Sequence, residues 1–376
     1  MLIFKKKAMK LRVKGIIILL IFISLSCSKD DGVDMVTKND PDINVVLIGE
    51  DSERVYQYEY NSLNDTEVQV DLTQELGIGN SYLTLRQEGQ LLSFYIFASG
   101  NFSLVQKNVE TGANALESNF YTANDERNIL WGTNDTKNIY LGSFKPEGTS
   151  NFGLLTIDID SGLQTELMIE DDIQTSYQPI YHQGKLILAY LDNADNYKVA
   201  VVNTADNTIL TRLEFGELVP NIFIDDFEDV VIMKSKRGEN FSYTIYDALT
   251  FEPNTEVDFN LTRYFEPGGF TARLVGGKLF YYSLYAQPAE VRFGPASFDF
   301  GTNTETLVDM ERIVKEVENQ NGNSIQLISQ GIDEKSGSYL VGYFNLNDPN
   351  SLDGGMLIVS FEGAHPVNID FVFAGV

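Results

Sequence analysis

From Asn44 onward the chain alternates short apolar runs with polar punctuation. The runs are rich in Val, Ile, Leu, Tyr and Phe, and clusters of Asn, Asp, Gly and Thr break them. That pattern predicts strands joined by turns. The stretches 185–190 and 279–282 are examples. Alternation within the runs is imperfect, as expected for central strands covered on both faces.

The runs recur as a unit. Each unit has an apolar strand, a tight turn, a second strand, a polar loop, a third strand ending in a polar turn, and a weaker fourth strand. The third-strand turns mark the register at Asn61, Glu110, Asp160, Asn203, Asp247, Gly301 and Glu362, with spacings of 49, 50, 43, 44, 54 and 61 residues. Four-stranded propeller blades repeat at about 40 to 50 residues. The pattern therefore predicts an all-β fold, a single seven-bladed β-propeller over residues 43–376. A pair of two-sheet sandwiches is the alternative, and it leaves the regular turns unexplained. Asp and Asn at such turns bond their own backbone, so Asp160, Asn203 and Asp247 read as turn formers.

Two irregularities carry information. In the long sixth spacing Leu307, Met310, Ile313, Val314 and Val317 fall at helical intervals among acidic residues, and 319–323 ends the run. This predicts one helical insertion between blades six and seven. The first unit lacks its first strand, because the run 44–48 reads as a second strand. The apolar run 371–374 is spare. It is expected to complete the first blade and so remove an open sheet edge.

The N-terminus follows another pattern. Lys5, Lys6, Lys7, Lys10, Arg12 and Lys14 precede an aliphatic run at 16–23, and Ser24-Leu25-Ser26 leads to Cys27, the single cysteine. The apolar run is far shorter than the ~20 residues of a membrane-spanning helix. It has the form of a secretory signal. Ending at a lone cysteine, it resembles a bacterial lipoprotein signal, with Leu25 at minus two where the family pattern has it at minus three. The resemblance implies a signal peptide at 1–26 and lipidation at Cys27, hence a partner membrane reached through the N-terminal lipid. Residues 27–42 read as an acidic, flexible tether. Ser28-Lys29-Asp30-Asp31 resembles the surface-export signal of Bacteroidota lipoproteins, which implies the exposed leaflet of the outer membrane.

Charge narrows the partners. The formal net charge is −27, with 54 acidic against 27 basic residues, and six of the basic ones lie in residues 1–26. So acidic a body repels nucleic acid and anionic headgroups. Hydrophobic residues make up 43%, ample for a core without disulfides.

Catalytic patterns are sparse. Only His182 and His365 supply imidazole, three units apart, so they do not read as a metal pair. HExxH, GxSxG and phosphate-loop patterns are missing. The acidic runs 170–172 and 225–229 read as solvated loops. No cofactor or metal is expected. The turn Ile157-Asp158-Ile159-Asp160-Ser161-Gly162 is similar to third-strand turns of quinoprotein-like and YVTN-like propellers. Together with the signal, it resembles Bacteroidota surface lipoproteins that work beside TonB-dependent transporters, some of which capture ferric siderophores. The resemblance implies such a transporter as partner and an iron chelate or a glycan as ligand.

Basic and aromatic residues in the loops between second and third strands and in the links between units suit an anionic or aromatic ligand. Arg127, Lys236, Arg237, Arg263, Tyr264, Tyr285 and Arg292 are the candidates. The expected function is ligand capture without catalysis. A lyase or hydrolase on a propeller frame, and an interaction scaffold of the envelope, are the alternatives.

Overall fold

The computed structural model describes residues 43–371 apart from 52, 63–65, 125, 236–240, 262, 264, 270, 287, 347–353 and 364–366. The signal, Cys27 and the tether lie outside the described residues.

Among the described residues seven sheets follow one another along the chain, antiparallel but for one short parallel pair. Blade one holds β1 (Asn44–Glu50), β2 (Val55–Asn61) and β3 (Thr66–Asp71). Blade two holds β4 (Thr84–Glu88), β5 (Leu91–Ala98), β6 (Asn101–Asn108) and β7 (Asn114–Thr122). Blade three holds β8 (Asn128–Asn134), β9 (Asn138–Phe144), β10 (Phe152–Asp158) and β11 (Gln164–Glu170). In blade four β12 (Ile173–Ser176) and β13 (Ile180–His182) share the inner position beside β14 (Lys185–Asp192), followed by β15 (Tyr197–Asn203) and β16 (Thr208–Gly216). Blade five holds β17 (Val219–Ile224), β18 (Val230–Ser235), β19 (Phe241–Tyr246) and β20 (Pro253–Phe259), and β21 (Gly268–Gly269) pairs parallel to β17. Blade six holds β22 (Ala272–Val275), β23 (Lys278–Leu284), β24 (Phe293–Asp299) and β25 (Thr304–Leu307). Blade seven holds β26 (Ile325–Asp333), β27 (Ser338–Asn345), β28 (Gly354–Ser360) and β29 (Val367–Phe371). The fold is the expected seven-bladed propeller, and separate sandwiches are excluded.

Burial follows strand rank. Leu188, Ala189 and Tyr190 on β14 and Val199, Ala200, Val201 and Val202 on β15 are completely buried. The outer strands expose Leu116, Met168 and Leu210. Second and third strands are thus covered on both faces, which accounts for their weak alternation. Each of the seven apolar clusters of the core joins two adjacent blades. Blades one and seven meet through Val45, Tyr56, Tyr58 and Tyr60 against Met356 and Ile358.

The turns do what their residue types dictate. Asp247 Oδ1 accepts from the N–H groups of Leu249 and Thr250, and Asn203 Oδ1 accepts from Ala205. In blade three the former is Asp158, which accepts from Ser161, rather than Asp160. Bonds from the Ser161 hydroxyl and N–H hold the Asp158 carboxyl below the usual range.

A backbone bond fixes the rank of the strands in blades two, three, four, six and seven. Val109 N–H donates to Gln90, Ile159 to Lys137, Thr204 to Gly184, Phe300 to Gly277 and Phe361 to Gly337. In every case the acceptor directly precedes a second strand. Ser62 N–H donates to Ile43 in the same way, and Ile43 directly precedes β1. So β1, β2 and β3 hold the second, third and fourth ranks, and the described part of blade one lacks its inner strand, as expected. The C-terminal expectation needs correction. Phe371 is the last residue of β29, which pairs with β28 as the outer strand of blade seven. Residues 372–374 lie outside the described residues.

The predicted helix is α2 (Met310–Asn321); a shorter α1 (Leu72–Leu76) precedes blade two. Asp309 caps α2, its Oδ1 accepting from Arg312 N–H, and Gly322 ends it in the left-handed region that favours glycine. Met310, Ile313, Val314 and Val317 pack between blades six and seven. Leu307 belongs to β25 and is exposed, because the strand pairing of the blade overrides its helical spacing.

Candidate functional site

The inner strands bring polar side chains to the propeller axis. Successive residues of β4 face opposite ways. Arg86 and Glu88 look toward blades three and four, and Leu85 and Gln87 toward blade one. Arg86 donates from Nε to Gly132 O at 3.1 Å and from Nη2 to Gln178 Oε1 at 2.6 Å, so one guanidinium ties blades two, three and four together. Around it lies a cavity of about 590 Å³ lined by Glu88, Asn134, Gln178, Tyr181 and His182, among others. Adjoining spaces share Arg273 with it.

Glu88 is the chemically distinctive group. Burial, with the negative charge of Asp135 behind it, pushes its carboxyl up to about 7. Its Oε2 is buried and has no hydrogen-bond partner. Asp135 is fully engaged. Its Oδ1 accepts from the N–H groups of Lys137 and Asn138, and its Oδ2 from the Tyr140 hydroxyl. Burial and Asp135 push the Tyr181 hydroxyl up to about 12, and its ring stacks on Tyr140 at 6.1 Å. Both rings are thus neutral hydrogen-bonding groups.

The cavity opens among the turns that follow the inner strands. Asp225 caps one of these, its Oδ1 accepting from the N–H groups of Phe227 and Asp229, and burial raises its carboxyl. Within the acidic run 225–229, Asp225 is thus buried and shapes the turn, while Asp226 and Glu228 are solvated as expected. His182 Nε2 lies 2.8 Å from Glu228 O. Arg273 Nε is 3.7 Å from Glu334. Among the described residues no group of His, Cys, Asp and Glu is arranged to hold a metal ion. His365 lies outside them.

Comparison with known proteins bears on the fold. No family model matches the chain, and no curated protein matches it. Among solved structures it is similar to TolB from Acinetobacter baumannii, at 12% identity over 88% of this chain and 80% of that one, with a TM-score of 0.40. It is also similar to the β-propeller domain of the Trilobed protease from Pyrococcus furiosus, at 12% identity over 88% and 96%, with a TM-score of 0.46. A prolyl endopeptidase matches at 11% over 80% of this chain but 44% of its own, with a TM-score of 0.47.

Among the described residues, the candidates read from sequence lie elsewhere. Arg127, in the link into blade three, grips Glu166 of β11 with both Nη atoms at 3.0 Å, and Lys145 joins at 2.8 Å. Those bonds, that of Arg127 foremost, hold Glu166 down at about 2. Arg263, in the link into blade six, grips Glu305 of β25 at 3.0 and 2.8 Å. The Tyr285 hydroxyl donates to Val308 O at 2.7 Å. Arg292 lines a groove of about 540 Å³ beside α2 with Glu311, Lys315 and Glu318. Tyr285 and Arg292 share one loop, while Arg127 and Arg263 sit in different blades. Lys236, Arg237 and Tyr264 lie outside the described residues. The axial residues Arg86, Glu88, Gln178 and Tyr181 were not singled out from sequence. The signal that could find them is positional: polar residues on first strands, which in a propeller face the axis.

Proposed function

We propose that this chain is a surface-anchored lipoprotein that captures an extracellular, hydroxyl-rich ligand, such as a glycan segment, in its axial cavity. The observation that carries the reading is the convergence there of several amides, the Tyr181 phenol, the Arg86 and Arg273 guanidiniums and a carboxyl that is half protonated near neutral pH. Such a set offers many donors and acceptors, and its two guanidiniums are engaged, Arg86 with Gly132 and Gln178 and Arg273 beside Glu334. It suits sugar hydroxyls better than an anionic chelate, which the acidic residues Asp225, Glu228, Asp333 and Glu334 at the mouth would repel.

The raised Glu88 also favours a second reading, a hydrolase, since carboxyls with shifted pKa values cluster at catalytic sites. Glycoside hydrolysis needs two working carboxylates, and Asp135 spends both oxygens on the turn and on Tyr140. Capture is therefore preferred.

Titration calorimetry against a panel of oligosaccharides and ferric siderophores tests this. Tyr181→Ala and Gln178→Ala should each weaken oligosaccharide binding tenfold or more, equivalent to about 1.4 kcal/mol. Arg127→Ala and Arg263→Ala should leave it unchanged. The reverse pattern would move the site to the link face. Release of shortened sugars during the titration would favour the hydrolase.

A further inference from the structure

The axial cavity holds a carboxyl that the fold leaves without a counter-charge. Glu88 Oε2 is buried and has no hydrogen-bond partner. Arg86 stands on the same face of β4, two residues away, yet all three nitrogens of its guanidinium are committed elsewhere. Nε donates to Gly132 O, Nη1 to Leu85 O and Nη2 to Gln178 Oε1. Burial and then Asp135 act on Glu88, and both disfavour its charged form. Other half-buried glutamates of this chain are matched by a cation: Glu75 holds Lys107, Glu166 holds Arg127 and Lys145, and Glu305 holds Arg263.

The mouth of the cavity carries the same sign. His182, Ile224 and Arg273 line both the cavity and the space outside it, so the two adjoin. Asp225, Glu228, Asp333 and Glu334 face that outer space, against Arg273 and Lys335. Arg273 already lies beside Glu334. The carboxylates are close enough to disturb one another. Burial raises the Glu334 carboxyl, and the charges of Asp226, Asp225 and Glu228 add to the effect. A cleft lined by one sign of charge between low-dielectric walls concentrates ions of the other sign. Here those ions are cations.

The two features act in series, an acidic mouth that gathers cations and an unmatched carboxyl behind it. Resting on the reading of this cavity as a sugar site, we propose that its ligand is an oligosaccharide of amino sugars with free amines. One ammonium pairs with Glu88, and the hydroxyls meet Tyr181 and the neighbouring amides. An ammonium brings three donors, and a charge-assisted bond to a carboxylate is about twice as strong as a neutral one. A neutral sugar leaves the Glu88 charge unbalanced, and an anion meets repulsion at the mouth and again inside. The cavity volume of about 590 Å³ lies within the range of small-molecule sites, about 300–1,000 Å³.

Titration calorimetry at neutral pH with the glucosamine trimer and its N-acetylated counterpart tests this. The unaltered chain should bind the trimer with free amines at least tenfold more tightly than the acetylated one. Glu88→Gln, which keeps the shape and removes the charge, should erase that preference. Equal affinity for the two trimers would overturn the proposal and leave sugar capture standing. So would binding of neutral oligosaccharides when neither trimer binds. A preference that survives Glu88→Gln would also overturn it, because the acidic surface alone would then account for the attraction. If no oligosaccharide binds at all, the capture reading fails and this inference falls with it.

Discussion

At the scale of single residues, burial and partner choice decide what a charge can do. Glu88 and Glu166 belong to one residue type, yet one titrates near 7 and the other near 2. Desolvation dominates the first and the Arg127 fork the second. A carboxyl raised in the folded state binds a proton that the unfolded chain has already lost. Stability therefore falls as pH rises from about 4.5 to about 7 and is flat beyond. Glu88→Gln removes that slope. The expected outcome is a melting temperature above that of the unaltered protein at pH 8, with little difference at pH 4; equal curves at both pH values would refute the assignment. Arg127 and Arg263 teach a related lesson. Both read as ligand groups, but each grips a glutamate on the outer strand of the blade it leads into, 39 and 42 residues downstream. That separation is close to one blade, so the repeat period points to these pairs where local inspection does not. Gly142 shows a different constraint: a Cβ there would lie 2.2 Å from the Trp131 indole, which packs flat over the backbone of β9.

At the scale of elements, α2 is the clearest agreement between pattern and structure. Its apolar face was legible because Met310, Ile313, Val314 and Val317 share one side at helical spacing, and all four are buried. Ile313 is wholly buried among residues of blades six and seven. Ile313→Ala should cost about 2–5 kcal/mol through lost burial and an unfilled cavity. Asp309→Ala should cost about 1 kcal/mol through the lost cap. Urea unfolding checks both, and a smaller loss for Ile313→Ala than for Asp309→Ala would show that the helix is peripheral. Leu307 shared the spacing but not the outcome, since hydrogen bonding to β24 holds it in a strand. The one-turn α1 was not legible, because five residues are too few to display a period.

At the scale of the whole molecule, the ring is held by seven inter-blade clusters. Closure between blades one and seven rests on tyrosines of β2 packed against Met356 and Ile358. The N-terminal anchor is a separate proposal at this scale. A single acyl chain binds membranes only marginally, at about 0.8 kcal/mol per buried CH₂, and several chains hold firmly. Cys27→Ala should therefore shift the protein from the membrane to the soluble fraction on cell fractionation. A mutant that stays with the membrane would reject lipidation at Cys27.

The sequence by itself determined the repeat, the seven units, the helical insertion and the incomplete first blade. Each of these is written in the order of apolar and polar residues, and local backbone preference reads that order directly. The site belonged to the tertiary structure. Arg86, Glu88, Asn134, Gln178 and Tyr181 come from three blades, and nothing in their local sequence sets them apart from other polar residues. Only closing the ring turns first strands inward and strips water from Glu88. The same closure aims Arg127 and Arg263 at glutamates instead of at a ligand. Charge, exposure and partner are properties of the assembled ring, because they depend on which blade arrives beside which.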